Sequence, residues 1–150
     1  MIGRHEALKN ANQELDLLDK FRRHELAAVE TYSQLMERLN GSASIGLLGA
    51  NRASHANRSA LLADEIQRRG GEPSEHSGVW GALTRLLEGG AGMFGEKAAM
   101  QMLEEGEDHG CRLYDDGFED YSAEFRALVT RELREPQQSS HDALASVVNG

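Results

Sequence analysis

Two glutamates, Glu25 and Glu107, each stand seven residues before a tyrosine, Tyr32 and Tyr114. Leu18, Phe21, Glu25, Ala28, Tyr32, Leu35 and Leu39 follow one another at alternating spacings of three and four. Met100, Leu103, Glu107, Gly110 and Tyr114 repeat the pattern, so each glutamate lies on the apolar seam of a predicted helix. A carboxylate buried there is costly unless a cation, a metal or a hydrogen-bond donor meets it. Two acids in matching places therefore predict one shared polar site, of a kind that ligates a metal or is closed by ion pairs. His55 and His141 fall on the seams of two further predicted helices and are the candidate nitrogen partners.

Four helices must position these residues. The first starts between Ala7 and Asn12 and runs to Leu39, where Asn40-Gly41-Ser42 ends it. The second runs from about Ser44 to Arg69, carries Leu48, His55, Leu62 and Ile66 on its seam, and stops at Gly70-Gly71-Glu72-Pro73. From Gly71 to Gly95 the chain is rich in Gly, Ser and Pro around a short amphipathic piece, Val79 to Leu87, in which Trp80, Leu83 and Leu87 share a face. The third helix runs from about Phe94 to Asp116 and breaks near Gly117 to Asp120; the fourth runs from Ser122 to about Val148, with a bend expected at Pro136. The expected architecture is an all-α antiparallel four-helix bundle, one domain over residues 1–150, with a short crossover helix between the second and third helices.

Composition narrows the function. With only two prolines and 39% apolar residues, the chain can build long helices around a substantial core. A net charge of -9 and a pI near 5.1 argue against nucleic acid and anionic membranes as partners. The lone Cys111 excludes an internal disulfide and agrees with a reducing compartment, and no segment reads as a signal peptide or membrane span. The expectation is a cytoplasmic protein, with homo-oligomer formation through the Trp80 face as one use of its surface.

The two halves also resemble each other. The Glu/Tyr pairs are offset by 82 residues and the two seam histidines by 86, a pattern that suits a duplication. Facing residues of a hairpin should be equally far from its turn. Glu25 and His55 are centred on Asn40, where the turn is expected, whereas Glu107 and His141 are centred on Glu124, past the expected turn. Glu132, centred with Glu107 near Glu119-Asp120, is a rival to His141.

These features resemble the ferritin-like superfamily, in which the first and third helices each bring a glutamate seven before a tyrosine and the others each bring Glu-x-x-His. Gly70-Gly71-Glu72-Pro73, Glu105-Gly106-Glu107-Asp108 and His141-Asp142 are similar, more narrowly, to a bacterial family of ferritin-like four-helix-bundle proteins of unknown function. The resemblance implies a di-iron site, but Arg52 and Gln138 stand three residues before His55 and His141, where carboxylates are required. The expectation is thus a degenerate core site. It either holds one divalent metal (Fe, Zn or Mn) on Glu25, His55, Glu107 and His141, or holds none, with Arg52 standing in for the metal's charge. A di-iron oxidase or peroxide-handling enzyme is the competing class, and an interaction module a third. On a plainer reading the acids pair with arginine, the histidines are hydrogen-bonded core residues, and each tyrosine packs and donates its hydroxyl to a polar core group. His24 and His109 adjoin the key glutamates but are expected at the surface.

Overall fold

A computed structural model describes residues 3–77, 95–115 and 117–149, with side chains from residue 10 onward. All the secondary structure among these residues is helical: α1 (Gly3–Arg38), α2 (Ile45–Arg68), α3 (Glu96–Leu113), and a last helix made of α4 (Ala123–Leu128), a π-helical segment (Val129–Arg134) and α5 (Glu135–Val148). The amphipathic piece at Val79 to Leu87, with Trp80, lies outside the described residues. None of the described helices is long and apolar enough to cross a membrane.

The seam expected on α1 is the one buried: Leu18, Phe21, Glu25, Ala28, Tyr32 and Leu35 are all inaccessible to solvent. Pairing of α1 with α2 follows directly. Asn51 reaches Tyr32, His55 reaches Glu25, Arg22 donates to the Ser59 carbonyl and Arg69 meets Glu14, so contacts descend α1 as they climb α2 away from the turn at 39–44. The end of α2 is closed by Gly70, whose φ of 84° suits glycine, and by the Gly71 amide donating to the Ile66 carbonyl at 2.9 Å.

The last helix is capped by Ser122, whose hydroxyl accepts from the Phe125 amide at 3.1 Å. The Ser122 amide in turn donates to the buried Glu14 at 2.8 Å, and Arg69 holds the other oxygen of that carboxylate at 2.7 Å. One acid thereby joins the starting end of α1, the end of α2 and the start of the last helix. Further along, Phe125, Val129, Leu133 and Gln137 are buried at a constant spacing of four. In an α-helix each such step overshoots a full turn by about 40°, and three steps would carry the row off the core face. The wider turns of the π segment absorb that drift. Pro136 falls in the first turn of α5, directly after those wide turns.

Two apolar clusters fill the interior. One holds Leu18, Phe21, Leu62, Ile66, Tyr114, Phe125, Val129 and Leu133, the other Tyr32, Leu35, Leu48, Ala99, Met100, Leu103 and Leu144. Between them lies a layer of buried polar side chains.

Candidate functional site: a buried charged layer

Glu25 on α1, His55 and Arg58 on α2, Glu107 on α3, and Gln137 and Ser140 on α5 meet in this layer, each no more than 3% exposed. His55 bridges the acids: its Nδ1 lies 2.6 Å from Glu25 Oε2 and its Nε2 2.7 Å from Glu107 Oε1. The tyrosines cross over. Tyr32 donates to Glu107 and Tyr114 to Glu25, both at 2.7 Å, so each acid is met by the tyrosine of the other Glu/Tyr pair. The Arg58 guanidinium lies 3.4 Å from Glu25 Oε1 and donates to Gln137 Oε1 at 2.5 Å. Glu107 Oε2 accepts from Gln137 Nε2 at 2.7 Å and from the Ser140 hydroxyl at 2.8 Å. Asn51 donates to the Tyr32 hydroxyl and to the Ser140 carbonyl. Gln137 can approach α3 this closely because residue 110 is glycine: a Cβ there would stand 2.5 Å from the Gln137 amide nitrogen.

Hydrogen-bond chemistry sets the protonation. An ionised carboxylate only accepts, so an imidazole with a carboxylate on each nitrogen carries a proton on both. Burial alone would lower the His55 pKa, but Glu25 and Glu107 outweigh it and hold it above the ordinary imidazole value. Burial would likewise raise Glu25, yet His55 and Arg58 overcome it and bring it down to about 2. Glu107 is also lowered, its burial outweighed chiefly by His55. Burial, followed by the charge of the neighbouring carboxylate, pushes both tyrosines well above the usual phenol range, keeping them neutral donors. Two negative and two positive side chains thus balance in a buried layer.

His24 behaves oppositely. It is half-buried beside His109 and Tyr114, at ring distances of 5.5 and 6.2 Å, instead of lying at the surface, and burial lowers its pKa to about 4. In an NMR titration of the imidazole nitrogens, His55 is expected to be doubly protonated at neutral pH and His24 to gain its proton only near pH 4. The linkage signs differ accordingly. Stability from His55 is complete below the unfolded value of about 6.5 and is lost as pH rises through the higher folded value; His24 costs stability as pH falls from about 6.5 toward its own folded value. A neutral His55 at pH 7 would contradict the charge balance.

The structure brings together Glu25, His55, Glu107, Tyr32 and Tyr114 and places the other predicted residues elsewhere. His141 does not face Glu107; it is partly exposed, with Nε2 2.6 Å from Asp108. Glu132, its rival, is exposed. Arg52 lies on the flank of α2, donating to the Ser33 hydroxyl at 3.4 Å, and the guanidinium beside the acids is that of Arg58. Gln138 is exposed against Asp142, and the amide in the layer is that of Gln137. A signal for the missed residues existed: the offset of 82 that relates the Glu/Tyr pairs also relates His55 to Gln137 and Arg58 to Ser140.

Residues 13–120, well over half of the chain, match the family described as "Domain of unknown function (DUF2383)". The chain belongs to this family. No curated protein and no solved structure matches it. The DUF2383 match spans both acids, both tyrosines, His55 and Arg58, and ends before Gln137 and Ser140. In this DUF2383 chain the matched region therefore carries all four charges of the layer, and the last helix adds neutral donors and acceptors.

Proposed function

We propose that this protein is a ferritin-like antiparallel four-helix bundle in which ion pairs occupy the place of a di-metal centre, and that it acts as a non-catalytic bundle. The observation that carries this reading is the position of Arg58, whose guanidinium lies within the layer between Glu25 and Gln137. Ferritin-like di-metal proteins take one glutamate from each of two helices and a Glu-x-x-His pair from each of the others. His55 with Arg58 and Gln137 with Ser140 have that spacing of three and point into the layer with Glu25 and Glu107. In this register both histidine places are filled by residues that are poor ligands, and both partner glutamates are replaced.

The donor set fits a metal badly. A guanidinium has no lone pair to give, and an imidazolium between two carboxylates has none either. A single divalent ion on Glu25, His55, Glu107 and His141 would require His55 to lose its proton, Glu25 to release Arg58, and His141 to leave Asp108. The net charge of -9 and the single cysteine support the rest of the reading, a cytoplasmic protein without a nucleic-acid partner.

Metal analysis and thermal unfolding before and after chelation test this. The expected result is less than stoichiometric Fe, Zn or Mn, the same Tm in both samples, and Fe(II) oxidation in air no faster than in buffer. Stoichiometric metal that survives gel filtration, with a Tm that falls on chelation, would overturn it.

A further inference from the structure

Away from the charged layer, a surface pocket of about 270 Å³ opens where α3 hands over to the last helix. Its two walls come from different elements and carry opposite charge. The connection after α3 supplies Asp115, Phe118 and Glu119; the last helix supplies Arg126, Val129, Thr130 and Arg134, the last three of them in the π segment. Among the described residues no ion pair joins these walls, although two carboxylates and two guanidinium groups face the same space. Oppositely charged side chains on a surface ordinarily close on each other. Here they line one pocket, and the Nε of Arg134 is engaged by the Tyr114 carbonyl at 2.9 Å instead.

We infer that this pocket binds a small zwitterion, a free α-amino acid. The argument rests on charge, size and floor. A wall of two guanidinium groups suits a carboxylate, which arginine can engage with two parallel hydrogen bonds. The opposite wall of two carboxylates suits an ammonium group, and Phe118 lines the same pocket. A ligand carrying one charge leaves one wall unmatched; a ligand carrying both matches the two walls at once. The volume lies just under the about 300–1,000 Å³ usual for small-molecule and cofactor sites, which limits the ligand to a small molecule of amino-acid size. Phe118 and Val129 provide an apolar floor for a small side chain. The π segment contributes directly, since its wide turns hold Val129 in the core while Thr130 and Arg134 border the pocket.

The test is an amide NMR titration of the full chain with glycine, L-alanine, L-valine, L-leucine, L-glutamate and L-lysine, each to about 20 mM, alongside isovalerate and isobutylamine, which are valine without its ammonium group and without its carboxylate. At least one amino acid is expected to give saturable shifts confined to residues 115–134. Each single-charge analogue should bind roughly tenfold more weakly than L-valine or the best amino acid. Arg126 is exposed, so Arg126→Gln should leave the fold intact while weakening binding by a similar factor. No saturable shift with any of the six, equal binding of the single-charge analogues, or unchanged binding by Arg126→Gln with native Tm would each overturn the assignment.

Discussion

Arg58→Met is expected to destabilise the fold by about 3–5 kcal/mol, the cost of leaving a buried charge uncompensated. Glu25 and Glu107 would then share the single cation His55 in a buried layer with apolar clusters above and below. Against the total of about 5–15 kcal/mol that holds a domain folded, that loss is severe. Adding Glu25→Gln should recover most of it, because the amide oxygen can accept from His55 Nδ1–H and the amide nitrogen can donate to the Tyr114 hydroxyl, while the unmatched charge is removed and Glu107 stays paired with His55. Urea unfolding of the single and double variants measures both. Arg52→Met is the internal control: with one long contact to Ser33 it should cost no more than about 0.5 kcal/mol. If Arg52→Met costs as much as Arg58→Met, or if Glu25→Gln makes Arg58→Met worse, the ion-pair account fails.

Combining His55→Glu, Arg58→His, Gln137→Glu and Ser140→His is expected to create a site for two divalent ions in each chain. The four substitutions restore a Glu-x-x-His pair to each helix facing Glu25 and Glu107. Without metal the variant should be less stable than the parent, since four carboxylates would crowd a layer that now balances two against two. Co(II) or Mn(II) should raise its Tm in a concentration-dependent way, because an ion that binds only the folded form stabilises it by mass action. Calorimetric titration gives the stoichiometry, and Co(II) absorption the coordination. A second variant, Arg52→Glu with Gln138→Glu, builds the alternative register around His55 and His141. It should gain no tight site, since both new carboxylates would lie outside the layer. Two ions on the second variant and none on the first would refute the assigned register.

Much of the fold was readable along the chain. The seam from Leu18 to Leu35 is buried as its spacing predicts, the turn after Leu39 and the glycine stop after α2 stand where expected, and the break near Gly117 is real. The pairing of His55 with Glu25 was readable too, because the hairpin turn between α1 and α2 is short and counting outward from it finds the facing residues. The same counting failed across α3 and the last helix. There the connection is longer than a tight turn, and the π segment adds residues without adding turns, so Gln137 and Ser140 reach Glu107 where uniform turns suggested His141 or Glu132.

Arg58 was missed for a different reason. An arginine on a helix lies at the surface unless something buried demands it, and that demand comes from Glu25, 33 residues earlier on another helix. Glu14 is a parallel case, buried because Arg69 and the Ser122 amide converge on it from distant parts of the chain. The sequence by itself determined which faces of the helices are apolar and that two acids on them need partners, because periodicity is a local property of one helix. Only the tertiary structure decided that those partners are His55, Arg58, Gln137 and Ser140. Which polar groups meet depends on the register between helices, set by loop lengths, by the close approach at Gly110 and by a single stretch of π turns, and no one helix carries that information.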